Sequence, residues 1–358
     1  MRRITLAAIS AVVAVATQAI SAGAQPAPTL AQAAVAWLLT QQDKTTGQVG
    51  AAPENPLARS AEIAISLAAT SQDPATFKNG TASLADYLKP AVPTDVGTAG
   101  ELLLARASWP DIGPTAPLIA QLNAAYLQAC AAAPGQYGGS IFSDGLAILG
   151  LRAAGQGLGA EAVPFLRAKQ NPQDHGWSFD TAGKYGSDSN TTAIVLQALL
   201  AAGVSPADPA IQNGFAYLKT QFANGGFFSF GSTPDPNSNE LGIQAIVAAG
   251  LRHTAPWSDM LTAAEASLAS EQIASGPDAG ALTAGDKLFA TTLAPAAFTE
   301  RPLTQPASGS EAGTSPACPP TPAAPHLAPT GGQPALPLAL GFALIVVGLL
   351  VRRSLRRT

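Results

Sequence analysis

The sequence predicts an all-α protein whose body, residues 25–298, is an α/α toroid of six helical hairpins, about twelve helices in all. Two observations predict this fold. A unit of helix, loop and helix recurs along the body, as in repeat architectures. The second helix of a unit is almost purely apolar, as in 193–200, and such a helix is buried on all sides. An open solenoid of helix pairs is the alternative. We favour closure, because six units with wholly buried second helices suit a ring.

The unit is clearest over residues 160–204. A first helix over 160–170 is followed by a loop and then by a second helix over 191–202. Either Ser189 or Asn190 is a natural N-cap for the second helix, since their side chains can accept a hydrogen bond from its free N–H groups. Gly203 is a natural residue to end it.

The other units are weaker copies of this plan. The next one opens its second helix with Ser238-Asn239-Glu240 and closes it at Gly250. Further second helices are predicted near 60–69, 97–106, 143–154 and 284–293. Each first helix carries a marker leucine, and these are Leu38, Leu88, Leu127, Leu166, Leu218 and Leu268.

Two segments of the clearest unit resemble the prenyltransferase and squalene-cyclase repeat. They are Phe165-Leu166-x-x-x-Gln170 with Gly176-Trp177, and Asn190-Thr191-Thr192-Ala193. The resemblance covers most of residues 30–298. The family includes terpenoid cyclases, protein prenyltransferase β-subunits and the cobalamin-binding domain of transcobalamin-like proteins. Membership would imply an α/α toroid.

The family's catalytic signatures are missing from the sequence. A proton-initiated terpene cyclase uses the central Asp of a D-x-D-D motif, and the aligned residue here is Asn190, whose amide cannot protonate an alkene. The sequence also lacks a D-D-x-x-D diphosphate motif, the family's zinc ligands, a thioester cysteine motif and an evident pair of glycosidase carboxylates. We therefore expect no known type of catalysis, no metal and no cofactor.

A binding site is predicted where the second helices begin. Their N-termini should converge at one rim, where polar caps would lie beside aromatic loop residues, an arrangement that suits a small amphipathic ligand. Simple N-capping and packing between repeats are the alternatives. The candidate ligand-binding residues are Asp144, Trp177, Phe179, Tyr185, Asp188, Asn190, Phe228, Phe230, Asn239 and Glu240, with Tyr137 and Phe142 in the same loops.

The N-terminus has the pattern of a secretory signal peptide, residues 1–24. Two arginines precede an Ala-rich apolar run, and Ala22-Gly23-Ala24 provides an A-x-A cleavage site. An uncleaved N-terminal anchor is the alternative.

The C-terminus predicts attachment to the cell surface. Leu327-Ala328-Pro329-Thr330-Gly331 precedes an apolar stretch, 335–351, and a basic tail, 352–358. The stretch is at the short limit for a spanning helix, about 17–25 residues, and the basic tail should stay in the cytosol. The whole pattern resembles a sortase sorting signal, which implies cleavage after Thr330 and a bond to the cell wall. A plain single-pass anchor is the alternative, and either one displays the body outside the cell.

Composition narrows the partners. Residues 299–334 are rich in Pro, Ala, Ser, Thr and Gly, and they predict an extended stalk that forms no core. Net charge is −4 with no basic patch, so nucleic acid is not an expected partner. Cys130 and Cys318 lie in very different segments, which predicts no disulfide between them.

Three functions fit these patterns. The first is a surface-anchored, non-catalytic toroid that binds a small amphipathic molecule, such as an isoprenoid or a corrinoid, or an envelope partner. The second is a divergent cyclase-like or lyase enzyme with relocated acids. The third is a structural or adhesive spacer. An open, aromatic-lined cavity would favour the first two, and a centre filled by side chains would favour the third.

Overall fold

The computed structural model describes residues 29–51, 55–304 and 315–319. These residues form thirteen α-helices, the 3-10 helix Pro110–Ile112 and four strands of two residues each, so the all-α prediction is confirmed. The predicted signal peptide, sorting motif, transmembrane stretch and basic tail lie outside the described residues. Within the described part of the chain, no helix is long and apolar enough to cross a membrane.

Helices of two kinds alternate along the chain. The first helix of each pair is buried on one side only, and α5, for example, buries just Leu118, Leu122 and Tyr126. These first helices are α1 (Leu30–Thr40), α3 (Leu84–Leu88), α5 (Ala116–Ala129), α7 (Ala162–Ala168), α9 (Pro209–Thr220) and α11 (Trp257–Glu271).

Most of the second helices are more completely buried than the first. In the best-predicted of them, α8, ten of thirteen residues are buried, as its apolar sequence requires. These second helices are α2 (Pro56–Ala69), α4 (Val96–Ser108), α6 (Ile141–Ala153), α8 (Ser189–Ala201), α10 (Pro236–Ala248) and the consecutive short helices α12 (Lys287–Thr291) and α13 (Ala294–Phe298). The helix predicted near 284–293 is present but shorter, because Asp286 caps a helix that ends at Thr291.

Short antiparallel ladders join some helices. Strand β1 (Trp177–Ser178) pairs with β2 (Ser187–Asp188), with Trp177 opposite Asp188. Strand β3 (Phe222–Ala223) pairs with β4 (Gly226–Phe227). Both ladders lie in the loops that lead from a first helix to a second one, so they hold those loops beside the second helices.

The second helices begin at polar N-caps, although not at the residues predicted. Asp188 caps α8 by accepting a hydrogen bond from the Thr191 N–H at 2.7 Å, so Ser189 and Asn190 lie inside the helix. Asp235 caps α10 in the same way. The predicted caps were wrong because an aspartate upstream competes successfully for the same N–H groups.

Packing contacts connect the second helices in sequence. Helix α2 packs on α4, α4 on α6, α6 on α8 and α8 on α10, and α13 contacts both α10 and α2. Helices α4 and α6 come closest at glycines, since a Cβ on Gly100 would lie only 2.5 Å from the backbone of Leu146. The series of contacts therefore returns to the helix where it began.

Segments beyond residue 298 are held against this helical body. The N–H of Leu303 donates to Oε1 of Gln197 at 2.9 Å, and its side chain is buried in the core. Cys318 forms a disulfide with Cys130 at the C-terminal end of α5. The expectation that the two cysteines stay unpaired is therefore wrong, because residues 315–319 lie against the body despite their distance in sequence. Contacts with the body thus extend into the segment predicted as a stalk.

Candidate ligand cavity

Residues from α2, α4, α6, α8, α10 and α12 line a cavity of about 550 Å³. Binding sites for small organic molecules have volumes of about 300–1,000 Å³, so this cavity has the capacity for such a ligand. Its walls are predominantly apolar and include Ile65, Leu104, Leu146, Ile194 and Leu241. The centre of the body is therefore open rather than filled by side chains.

Aromatic rings surround part of the cavity and are unusually exposed. We call Phe179, Tyr185, Phe230 and Phe289 the aromatic mouth, because each lines the cavity and also reaches solvent. Phe230 is 73% exposed and Tyr185 is 60% exposed. Phe142 supports the mouth from within, with its ring centroid 6.3 Å from that of Phe179. Exposed rings beside a cavity are typical of a surface that is covered when a ligand binds.

Three glutamates from different helices line the same cavity, and we call Glu62, Glu101 and Glu240 the acidic trio. Glu62 in α2 accepts hydrogen bonds from Arg59 and, at 2.9 Å, from the Thr292 hydroxyl. All three are buried, with at most 8% of each residue exposed. Buried carboxyl groups are uncommon in an apolar environment unless they are paired.

Glu240 has no partner among the described residues. The residue is 1% exposed, and both of its carboxyl oxygens are buried without a hydrogen bond. Burial, with a smaller contribution from the charge of Glu62, raises the pKa of Glu240 well above its usual range. The same two causes raise the pKa of Glu101. Glu240 is therefore an unsatisfied polar group at the edge of an apolar space.

Replacing Glu240 by methionine should stabilise the protein. Methionine has a similar length and no polar group to leave unpaired, so the Glu240→Met variant should gain about 1–3 kcal/mol in free energy of unfolding. Urea unfolding at pH 7 measures the change. Glu62→Met is the matched control and should lose stability, because Arg59 and Thr292 would lose an acceptor. A loss of more than about 1 kcal/mol in Glu240→Met would show that the carboxyl group is satisfied.

The structure brings six of the ten candidate ligand-binding residues to the cavity. They come from the caps and first turns of α8 and α10 and from the loops that precede these helices. They are Phe179, Tyr185, Asp188, Asn190, Phe230 and Glu240. Asn190 accepts a hydrogen bond from the Ser238 hydroxyl at 2.8 Å, which links the starts of α8 and α10.

The other four candidates do not line the cavity. Trp177 is fully buried and donates from its indole to the Leu166 carbonyl oxygen at 2.7 Å. Phe228 is buried as well. The remaining two, Asp144 and Asn239, are fixed by hydrogen bonds to backbone. These four side chains are placed as structural groups between repeats.

Asp144 and Asn239 belong to a bond that recurs in the repeats. Near the start of a second helix, a side-chain oxygen accepts from the backbone N–H of a loop residue. In α6 the acceptor is Asp144 and the donor is Tyr137, at 2.9 Å; in α10 they are Asn239 and Phe227, at 2.8 Å. Ser60, Thr192 and Thr291 make equivalent bonds to Val49, Trp177 and Leu282. This repeated bond gives these polar residues a structural role.

Sequence reasoning missed two members of the acidic trio and Arg59. The pattern that could have identified them is a charged residue within a mostly apolar helix, as Arg59 and Glu62 are in α2 and Glu101 is in α4. A charge in a buried helix requires either a partner or an internal cavity.

The chain matches no protein-family model, and no curated protein is similar to it. Within the described residues, no group of three or more His, Cys, Asp or Glu side chains is arranged to hold a metal ion.

Proposed function

We propose that the protein is a surface-displayed α/α toroid that binds a small amphipathic molecule in its central cavity. The observation that carries this proposal is the open cavity of about 550 Å³ with an aromatic mouth and buried carboxyl groups. A spacer domain would need no such space, and a filled core would be more stable. The cavity therefore favours the ligand-binding function over a purely structural one.

Within the all-α class, we propose that the helix pairs close into a toroid. Six helix pairs occur in order, and the circuit of contacts from α2 to α10 is completed by α13. An open solenoid would leave its first and last repeats without a contact between them. The contacts of α13 with α2 therefore support closure. They also support the resemblance to the prenyltransferase and squalene-cyclase repeat, although Asn190 still lacks the acid of that family's cyclases.

The dimensions and lining of the cavity select among the ligand classes. An isoprenoid-like molecule has a narrow apolar body that can contact Ile194, Leu241 and the aromatic mouth. A corrinoid is much larger than a drug-sized ligand, so most of it would lie outside this volume. We therefore propose an isoprenoid-like or similarly shaped amphipathic ligand in preference to a corrinoid. An envelope partner would be recognised through the same exposed rings.

A thermal-shift screen of the full-length chain against isoprenoids, corrinoids and glycans tests the proposal. A ligand at a concentration 100-fold above its dissociation constant stabilises the folded state by about 2.7 kcal/mol. We expect isoprenoids to raise the melting temperature. The variants Phe230→Ala and Phe179→Ala should each reduce this shift. Phe222→Ala is the matched control, since Phe222 is not among the cavity-lining residues. An absence of shifts with every class would leave the spacer function.

A divergent cyclase-like or lyase enzyme is the second candidate function. The observation that favours it is the raised pKa of Glu101 and Glu240 in an apolar site, a combination used by general acids. Incubation of the full-length chain with a bound isoprenoid, followed by mass spectrometry of the products, distinguishes the two functions. If products form with the wild type and do not form with Glu240→Gln, the enzyme function replaces the binding function. If the ligand is recovered unchanged, the binding function is supported.

We propose export and C-terminal attachment for the position of the protein in the cell. The Cys130–Cys318 disulfide supports export, because disulfides persist in oxidising compartments outside the cytosol. A sortase-type transpeptidase and the cell wall are the proposed partners, with a single-pass membrane anchor as the alternative. Deletion of residues 352–358 should reduce retention at the envelope if the basic tail is part of a sorting signal, which cell fractionation measures.

A further inference from the structure

We propose that the ligand of the central cavity carries a positively charged organic ammonium group, which pairs with Glu240 while its apolar body contacts the aromatic mouth. This inference rests on the proposed binding function and specifies the chemistry of the ligand. Three observations support it: the unpaired oxygens of Glu240, the excess of acidic over basic residues in the lining, and the exposed aromatic rings.

The cavity contains hydrogen-bond acceptors without a donor. The carboxyl group of Glu240 has two oxygens, both buried and both without a partner in the described structure. In native proteins such groups are rare, and each one that remains requires an explanation. A ligand donor would satisfy these oxygens from the cavity side, where Glu240 is a lining residue.

Acidic residues outnumber basic ones in the cavity lining. Among the described residues that line the cavity, four are acidic and one is basic. The acidic residues are Glu62, Glu101, Asp188 and Glu240, and the basic one is Arg59. Arg59 is already engaged with Glu62 and lies over the Phe289 ring, with Cζ 4.2 Å from the ring centroid. Glu101 and Glu240 can gain negative charge when a cation binds, whereas Arg59 is the one basic residue in this lining, so the cavity favours a cation over an anion.

The third observation is the aromatic mouth. The faces of aromatic rings attract cations, and proteins use this attraction to recognise ammonium ligands. The contacts of Arg59 with Phe289 and of Lys184 with Tyr185 show that two of these rings already serve a cation in this way. Phe179 and Phe230 are exposed enough to do the same for a ligand as it enters.

Protonation is coupled to this binding. Burial raises the pKa of Glu240 in the empty cavity, and the charges of Glu62, Asp235 and Glu271 act in the same direction, while that of Arg59 opposes them. A bound cation favours the ionised carboxylate, so binding should release a proton. The affinity for a cationic ligand should therefore increase with rising pH, whereas the affinity for a neutral ligand of the same shape should not.

Three water-soluble probes with one apolar body test the inference. They are 4-phenylbutylammonium, 4-phenylbutanol and 4-phenylbutanoate, titrated by calorimetry into the full-length chain at pH 7.5. We expect the ammonium probe to bind at least about tenfold more tightly than the other two, equivalent to about 1.4 kcal/mol. Glu240→Gln keeps the size of the side chain and removes its charge, so this preference should fall below about threefold. Glu161→Gln, at an exposed glutamate outside the cavity lining, is the control and should leave the preference unchanged.

The outcomes separate this inference from the proposed function. Binding of the alcohol or the carboxylate as tightly as the ammonium probe would overturn the inference and retain an amphipathic site. A preference for ammonium that survives in Glu240→Gln would overturn the assignment to Glu240. An absence of binding by all three probes would argue against the binding function itself.

Discussion

Arg106→Met should lower the free energy of unfolding by about 3–5 kcal/mol, because several carbonyl oxygens would lose their donor and each buried acceptor left unsatisfied costs about 1–3 kcal/mol. Arg106 lies near the end of α4 and is only 3% exposed. Its guanidinium donates to the carbonyl oxygens of Leu88 at 2.8 Å and Pro114 at 2.9 Å, and more weakly to those of Lys89 and Ala91. The variant would leave these acceptors without their donor, and water can reach only some of them.

A matched control for this prediction occurs in the next repeat. Arg152 lies in the last turn of α6, is partly exposed, and donates to the carbonyl oxygens of Ala201 and Gln156 at 3.0 Å each. Water can replace its bonds, so Arg152→Met should lose about 1 kcal/mol. Chemical denaturation of the two variants at pH 7 measures the difference. Equal losses would mean that the carbonyl groups around Arg106 find other donors.

The helical class and the order of the elements could be predicted from the sequence because they depend on local patterns. Glycines such as Gly203 and Gly250 adopt positive φ angles of 87° and 70° beyond α8 and α10, as the prediction required. Helix starts were less predictable. Several polar residues lie near each start, and the cap is the one whose side chain reaches a free N–H, as Asp188 does.

The disulfide and the position of residues 315–319 could not be predicted from local patterns. Cys130 and Cys318 are 188 residues apart, and no local pattern indicates that residues 315–319 return to the end of α5. Composition correctly describes residues 299–334 as poor in large apolar groups, yet Leu303 is buried and its N–H donates to Gln197 of α8. Long-range contacts of this kind depend on the tertiary structure.

The cavity was predictable in position but not in chemistry. Placing the candidate site where the second helices begin selected Asp188, Asn190 and Glu240, together with four of the loop aromatics, as residues that line the cavity. It could not separate these from Asp144 and Asn239, which have the same polarity and a similar position in the repeat. The difference is a hydrogen bond to a loop N–H in the latter pair, and that bond depends on the conformation of the loop.

The second large effect that we expect is a decrease in stability with rising pH, to which Asp144 should contribute strongly. One carboxyl oxygen of Asp144 accepts from Tyr137 and Gly138, and the other is buried without a partner among the described residues. Burial raises the pKa of Asp144 from 3.8 to about 7, although the two backbone bonds oppose this change. The folded protein therefore retains a proton that the unfolded chain releases.

The direction in which the free energy of unfolding changes with pH follows from this difference in proton binding. Between pH 4 and pH 7 the folded state binds more protons than the unfolded state, so the free energy of unfolding falls as the pH rises. A pKa that moves from 3.8 to about 7 corresponds to at most about 4 kcal/mol, at about 1.4 kcal/mol for each pH unit. The raised pKa values of Glu101, Glu240 and, more exposed, Glu271 act in the same direction.

Comparison with Asp144→Asn separates the contribution of this residue from the others. The amide retains an oxygen that can accept from Tyr137 and Gly138, and it does not titrate, so the variant should lose about 2–4 kcal/mol less stability than the wild type between pH 4 and pH 8. Asp180→Asn is the control. Hydrogen bonds, chiefly from the Lys184 N–H, lower the pKa of the exposed Asp180 to about 2, so the variant should keep the wild-type slope above pH 4. Parallel curves for Asp144→Asn and the wild type would mean that Asp144 is already ionised in the folded protein. The unpartnered oxygen would then be solvated, and the decrease in stability with rising pH would have to arise from Glu101, Glu240 and Glu271.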